Sequence, residues 1–163
     1  MNTTTSLTDR IEKEIILKAP LLRVWEAISE AETFGRWFGA KLDGKTFREG
    51  ELVGGQITIE NYAHVRFEAW VESVQPQHYL AFRWHPYPVE RGLDYSDEPK
   101  TLVEFRLKEV EGGTLLRVVE TGFDQLPVHR RGEAFRMNSG GWEEQLLNIQ
   151  DHVCPPPVTS PGS

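Results

Sequence analysis

Residues 101–123 read TLVEFRLKEVEGGTLLRVVETGF, and this stretch decides the kind of fold that the chain can adopt. In its first half, apolar and charged residues alternate, and the apolar positions are Val103, Phe105 and Leu107. This period of two is typical of a strand with one buried face and one wet face. Residues 111–113, Glu-Gly-Gly, mark a tight turn, after which the alternation resumes. The stretch therefore predicts an antiparallel hairpin.

Strand-like segments continue upstream of this hairpin. They are RIEKEIILK (10–18), KLDGKTF (41–47), ELVGGQITIENY (51–62), VRFEAWVESV (65–74) and HYLAFRWH (78–85). Because consecutive short strands separated by turns favour antiparallel pairing, we expect one sheet. Alternation predicts an inward face formed by Ile57, Ile59, Phe67, Ala69, Val71, Leu80, Phe82, Trp84, Val103, Phe105, Leu107, Leu116 and Val118.

Three helices are predicted around this sheet. PLLRVWEAIS (20–29) has an amphipathic spacing after its proline, and a second short helix carries Phe34, Trp37 and Phe38 before Gly39 stops it. RRGEAFRMNSGGWEEQLLNIQDHV (130–153) is the longest helix, with an apolar stripe that can lie across the sheet. Its central glycine pair, at 140–141, is unfavourable by about 1 kcal/mol per glycine, so something must offset that cost.

The order of strand, two helices, six strands and long helix resembles the helix-grip domains of the START and birch-pollen-allergen superfamily. More narrowly, it is similar to the family of homologues of the heat-shock-protein-90 ATPase activator. The residues that carry this resemblance are Pro20, Val24-Trp25, Ala27-Ile28, Arg36-Trp37-Phe38, Pro76, Leu80, Phe82, Trp84, Gly113-Thr114, Thr121-Gly122-Phe123, Gly141-Trp142 and Leu146. We therefore expect an α+β helix-grip fold, in which a curved antiparallel sheet of about seven strands wraps around a long C-terminal helix, with two short helices after the first strand.

We expect one domain over residues 10–153, between a flexible N-terminus (1–9) and a disordered, proline-rich tail (154–163). The net charge of −7 argues against nucleic acid and membrane partners. The N-terminus lacks an apolar signal core, so we expect a cytoplasmic protein. Cys154 is the single cysteine, and the histidines show no paired ligand spacing, so neither a metal nor a cofactor is predicted.

The resemblance implies a cavity between the sheet and the long helix, because members of the wider superfamily bind lipids, hormones and polyketides. We expect the ligand to contact Trp37, Phe38, Ile59, Phe67, Trp84, Phe105, Glu120, Asn138 and Trp142. The secondary polar candidates are Tyr62, His64 and His85. Glu120 follows the inward alternation, so it either is a buried carboxylate that fixes the ligand or reaches solvent or an arginine at the strand end.

Three functions remain open on the sequence. The first is a non-enzymatic protein that binds a small apolar or aromatic molecule. The second is a cofactor-free cyclase or hydratase acting on a polyketide-like substrate, with Glu120 or a histidine as general acid or base. The third is a stress-related interaction module that uses Trp70 on the outer sheet face to bind a chaperone or a second copy of the chain. The true activators carry an additional N-terminal domain for which this chain has no length, which argues against a chaperone partner.

Overall fold

A computed structural model describes residues 8–44 and 46–154. Its helices are α1 (Leu21–Ser29), α2 (Ala31–Phe38) and α3 (Val128–Val153). Its strands are β1 (Arg10–Leu17), β2 (Ala40–Leu42), β3 (Leu52–Ile57), β4 (Arg66–Gln75), β5 (Tyr79–Trp84), β6 (Thr101–Val110) and β7 (Gly113–Thr121). The α+β helix-grip prediction is confirmed.

The strands form one antiparallel sheet in the order β1-β7-β6-β5-β4-β3-β2. Neighbours in this order are also neighbours along the chain, except that β1 pairs with β7. A register shift between Val71 and Ser73 interrupts the β4–β5 ladder. Such a bulge bends a sheet and increases its twist locally.

The two short helices follow from local sequence. Pro20 precedes α1, which buries Val24, Trp25 and Ile28 on one side. Glu30 has an extended backbone and separates α1 from α2. Gly39, with a φ of 96°, ends α2 in the left-handed region that glycine adopts without strain. The last turn of α2 therefore presents its aromatic residues toward the sheet.

Phe34 of α2 is the centre of the core. Six aromatic rings have their centroids 4.7 to 6.3 Å from its own: Trp37, Phe38, Phe47, Phe67, Phe82 and Phe105. The predicted inward face is buried along β4 to β7 except at Trp84, which is partly buried, and α3 joins this core through Trp142, Leu146, Ile149 and Val153. The sheet and the long helix thus share one continuous core.

Several predicted boundaries change. The segment 41–47 contributes only the three residues of β2, although Phe47 beyond it is still buried. β3 ends at Ile57, so Ile59 lies in the following turn and not on the inward face. At the termini, Asp9 accepts a hydrogen bond from the backbone N–H of Asp124. Residues 1–7 and 155–163, for which flexible ends were predicted, lie outside the described residues.

Candidate functional site

A cavity of about 1220 Å³ is lined by α3, the end of α2 and strands β3 to β5, including Arg66, Glu68 and Trp70 from the outer face of β4. It is partly open to solvent, and the long β5–β6 connection forms one of its sides. α3 contributes residues from Arg136 to Asn148, and the turn after β3 contributes Ile59, Tyr62 and His64. The cavity therefore lies where the helix-grip fold predicts a ligand site, and its volume is larger than most small-molecule sites require.

One wall of the cavity is aromatic. Trp37 and Phe38 end α2, Phe67 lies on β4, and Trp84 is the last residue of β5. The Phe38 centroid lies 5.3 Å from that of Phe67 and 5.9 Å from that of Trp84. The indole N–H of Trp37 donates to the Ala27 carbonyl at 2.7 Å, which fixes that ring. These rings form a rigid apolar surface whose edge-on contacts are favourable between aromatic groups.

Behind this wall, Glu120 is a fully buried carboxylate with uncharged partners. Its Oε2 accepts hydrogen bonds from Trp84 Nε1 at 2.7 Å and Thr101 Oγ1 at 2.6 Å. Its Oε1 accepts from Trp142 Nε1 at 2.8 Å and Asn138 Nδ2 at 3.0 Å. Burial raises the pKa of Glu120, and the four donors oppose that rise by stabilising the charged form.

The Glu120 cluster, which consists of Glu120 and its four donors, joins three strands to α3. The indoles of Trp84 and Trp142 are stacked with centroids 5.7 Å apart and an interplanar angle of 27°, and each donates to a different carboxylate oxygen. An indole nitrogen can only donate a hydrogen bond, so both rings depend on Glu120 for their acceptor. Glu120 therefore sets the position of Trp84, which faces the cavity.

His64 also lines the cavity, and its Nε2 lies 2.7 Å from the Val89 carbonyl oxygen. That oxygen can only accept, so Nε2 is the donor in this contact. Nδ1 is buried and has no partner among the described residues. His85 Nδ1 is likewise buried without a partner among these residues. Burial, and after it the charge of Lys100, lowers the pKa of His85.

The β5–β6 connection, residues 85–100, is held to α3 by Arg130. Arg130 Nε donates to Glu98 Oε1 at 2.7 Å, and Nη1 donates to the Pro86 carbonyl at 3.0 Å. The guanidinium also lies 4.8 Å from the ring centroid of Tyr95. Because the guanidinium is planar and presents several donors, one side chain can hold both ends of the connection.

Six of the nine predicted ligand residues line the cavity: Trp37, Phe38, Ile59, Phe67, Trp84 and Asn138. Ile59 does so from a turn and is 40% exposed. Phe105, Glu120 and Trp142 are not part of the lining, because they lie in the core behind it. The alternative in which Glu120 reaches solvent or an arginine is wrong, because its donors are two indoles, an amide and a hydroxyl.

Other expectations concern the surroundings of the cavity. Trp70 is half-buried, with Lys100 Nζ 4.4 Å from its ring centroid and the His85 ring at 5.8 Å, and it belongs to the cavity lining. Residues 8–44 and 46–154 contain no group of His, Cys, Asp or Glu that could hold a metal ion. Within the same ranges, no helix is long and apolar enough to cross a membrane.

The sequence did not identify two parts of the lining. Residues 87–96 line the cavity from the β5–β6 connection, and the unusual length of that segment was the available signal. Gly140 and Gly141 also line it, and their unfavourable place in a helix was the signal there. Alternation and helical spacing do not indicate which cavity a loop or a glycine faces.

Comparison with known proteins now decides the family. The family model described as "Activator of Hsp90 ATPase homolog 1-like protein" matches residues 18–153. The chain belongs to this family. The resemblance inferred from sequence is thereby confirmed, and no curated protein matches the chain.

Solved structures of other proteins show the same fold. Protein MLL2253 from Mesorhizobium loti has a TM-score of 0.69 and 19% identity, covering 88% of this chain and 95% of that one. The Aha1 dimer from Colwellia psychrerythraea has a TM-score of 0.64 and 14% identity, covering 88% and 95%. DynU16, a putative protein in the dynemicin biosynthetic locus, has a TM-score of 0.67 and 22% identity, covering 88% of this chain but 46% of its own.

Proposed function

We propose that this member of the Hsp90 ATPase activator homologue family binds a small hydrophobic or aromatic molecule in the cavity between the sheet and α3. The observation that carries the proposal is the combination of a volume of about 1220 Å³ with a wall of fixed aromatic rings. Ligand sites are typically concave and mostly apolar, with a few polar groups that set orientation. The cavity is concave, one of its walls is aromatic, and polar and charged side chains line the rest.

Apolar burial supplies most of the binding free energy in this proposal. A ligand that buried about 300 Å² of its apolar surface would gain about 7 kcal/mol, from which the entropic costs of association are subtracted. Asn138 and His64 are among the polar groups in the lining that can orient it. Glu120 acts one step away, because it holds Trp84 and the Asn138 amide in place.

Native mass spectrometry of gently purified protein, with a tryptophan-fluorescence screen of lipids, flavonoids and polyketides, tests the proposal. We expect a co-purifying mass or saturable quenching, which Phe38→Leu weakens because that ring lines the cavity. Phe123→Leu is the matched control, since Phe123 is also buried but packs on Phe135 and is not part of the lining. A clean apo mass without any saturable response would exclude the binding function.

A cofactor-free cyclase or hydratase is a second proposal, and His64 is the observation that favours it. Its Nε2 contacts the Val89 carbonyl and its Nδ1 has no partner among the described residues, so Nδ1 is the ring nitrogen left for proton transfer. If the protein is such an enzyme, a polyketide-like substrate should be converted, and His64→Gln should abolish turnover while substrate still binds. Binding without conversion of any screened compound would leave only the first proposal.

Association with a second copy is also a proposal, supported by the Aha1 dimer among the structural neighbours. Leu93 and Met137, which are 44% and 39% exposed, lie with Ile59 at the cavity and could be covered by a partner. Light scattering during gel filtration tests this directly. A monomer at all concentrations would exclude the dimer proposal. If that monomer still bound the ligand, the binding proposal would stand without the dimer.

A further inference from the structure

Asn138 lies between the Glu120 carboxylate and the cavity. Its Nδ2 donates to Glu120 Oε1 at 3.0 Å and to Oε2 at 3.2 Å, and the residue is part of the cavity lining. An ionised carboxylate can only accept hydrogen bonds, so it fixes the amide with its nitrogen toward Glu120. Oδ1 accepts no hydrogen bond from residues 8–44 and 46–154, and it is not among their buried atoms without a partner. It is therefore the polar atom that Asn138 offers to the cavity.

All four partners of Glu120 present donors to it. They are the two indole N–H groups, the Thr101 hydroxyl and the Asn138 amide. This arrangement fits the ionised carboxylate, which can only accept. A protonated carboxyl group gains an O–H that must donate, and the indole nitrogens of Trp84 and Trp142 cannot accept. Because a buried donor without a partner is costly, one of the other two partners has to reorient when Glu120 takes up a proton.

The Asn138 amide can reorient without leaving a buried group unpaired. If the Thr101 oxygen accepted from protonated Glu120, its own hydroxyl hydrogen would lose the carboxylate as acceptor, and Thr101 is fully buried. Rotation of the Asn138 amide by half a turn instead places Oδ1 on Glu120 and turns Nδ2 toward the cavity, where water or a ligand can accept from it. Both indoles keep their acceptors, since a protonated carboxyl group retains acceptor capacity.

The Glu120 carboxylate has no charged partner. Its strand neighbours are Ile11 on β1 and Val103 on β6, and both are apolar. Among residues 8–44 and 46–154, its hydrogen bonds come from the four donors alone. The titratable side chains on the surrounding elements do not bond to it, and they are Lys13, His85, Lys100, Arg136, Glu143 and Glu144. Burial raises the pKa of Glu120 and the four hydrogen bonds oppose that rise, so its protonation depends on how these partners are oriented.

We infer that Glu120 is a positioning residue whose protonation state sets which end of the Asn138 amide faces the cavity. With Glu120 ionised, the cavity offers the Oδ1 acceptor to a ligand hydroxyl. With Glu120 protonated, it offers the Nδ2 donor to a ligand carbonyl. The inference rests on the proposed binding function and adds its regulation: a carbonyl ligand binds together with a proton that passes from solvent to Glu120, whereas a hydroxyl ligand binds without one.

Nuclear magnetic resonance of the ligand-free full chain tests the amide rotation by itself. A pH titration follows the Glu120 carboxyl carbon, the Asn138 amide and the indole N–H groups of Trp84 and Trp142. We expect one shared midpoint above pH 4.5, the ordinary value for this carboxyl group. In Glu120→Gln the Asn138 amide should not titrate. In Thr101→Val it should still titrate, because that variant removes only the competing acceptor.

The amide of Asn148 is an internal control in the same spectra. It also lies in the cavity lining of α3, but it donates to the Gln145 amide oxygen at 3.0 Å and has no carboxylate partner. Its resonances should therefore not shift at the midpoint of Glu120. A shift of the Asn148 and Asn138 amides at one midpoint would mean that the whole cavity wall responds to pH, and it would overturn the specific role of Asn138.

Calorimetry with two matched probes tests the link to ligands. The probes are 2-acetylnaphthalene, whose carbonyl can only accept, and 1-(2-naphthyl)ethanol, whose hydroxyl can donate to Oδ1. Titrations in buffers of different ionisation enthalpy measure the protons taken up on binding. Above the Glu120 midpoint, the ketone should take up about one proton and lose up to about tenfold in affinity for each pH unit, whereas the alcohol should do neither. Glu120→Gln should remove both effects.

The two experiments separate the possible failures. An Asn138 amide that does not follow the titration of Glu120 would overturn the inference, whatever the probes do. Equal proton uptake for the ketone and the alcohol would overturn the selection between carbonyl and hydroxyl ligands while leaving the binding function in place. Binding of neither probe, together with a negative ligand screen, would overturn the binding function and with it the link to ligands.

Discussion

Replacing Glu120 with glutamine should destabilise the protein while changing almost no volume. The site offers two indole N–H groups that can only donate, and they approach different carboxylate oxygens. Glutamine has one oxygen, so one indole would face an amide NH₂ and lose its acceptor. A buried donor without a partner costs about 1–3 kcal/mol, which corresponds to a urea midpoint lowered by roughly 1 M.

This cost should also depend on pH in a defined direction. Burial raises the folded-state pKa of Glu120 above the ordinary value of 4.5, so the folded protein binds that proton more tightly than the unfolded chain does. The contribution of Glu120 to stability is then fully present below pH 4.5 and is lost as the pH rises through the folded-state pKa. Glutamine does not titrate, so the difference in free energy of unfolding between wild type and Glu120→Gln should shrink with rising pH.

Urea unfolding monitored by circular dichroism over a series of pH values measures this difference. Glu109→Gln is the control, because Glu109 is exposed at the end of β6 and its loss should change stability little. Two results would refute the reasoning. Equal stability of Glu120→Gln and wild type at low pH would mean that the indoles do not need two acceptors, and a difference that grows with pH would mean that the four donors outweigh desolvation.

Three further perturbations test other parts of the structure. Arg130→Lys should speed proteolysis between residues 86 and 98 at unchanged global stability, because an ammonium group cannot reach Glu98 and the Pro86 carbonyl together. Arg131→Lys is the control and should not change the digestion rate. Equal digestion rates of the two variants would contradict the role of Arg130 in holding the connection. Gly55→Ala should lower the free energy of unfolding by about 1–3 kcal/mol in urea, because the added Cβ meets the Lys41 carbonyl, whereas Gly140→Ala should raise it by about 1 kcal/mol. A change in the same direction for both variants would be inconsistent with the packing. Phe34→Ala should lower the free energy of unfolding by about 3–5 kcal/mol, whereas Leu147→Ala, at an exposed position, should lower it by less than about 0.5 kcal/mol. A small loss for Phe34→Ala would show that the core can collapse around the gap.

The sequence predicted the sheet well because its strands carry their own period. Val103, Phe105 and Leu107 alternate with charges, and all three are buried as that pattern requires. The prediction failed where the period was continued past the end of a strand. Ile59 obeys the alternation of β3, but the chain has already turned, and Asn61 adopts a left-handed φ of 74° two residues later.

The site was less accessible to sequence reasoning because its contacts join distant parts of the chain. The donors to Glu120 include Trp84, 36 residues before it, and Trp142, 22 residues after it, and no local pattern pairs them. Arg130 likewise binds the Pro86 carbonyl 44 residues away. Burial of Glu120 could be inferred from alternation, but whether solvent, an arginine or two indoles would meet it required the fold.

The position of β1 has a consequence for how the chain is made. β1 is the first strand to be synthesised, yet its partner β7 follows about 100 residues later, since Leu17 pairs with Thr114 and Arg10 with Thr121. At about 5–20 residues per second, a ribosome leaves β1 unpaired for roughly 5 to 20 seconds. Glu12, Lys13 and Glu14 interrupt its apolar residues, and charges of this kind discourage pairing with the wrong strand. Neutralising them should therefore lower the yield of soluble protein during synthesis more than it lowers the stability of the finished fold.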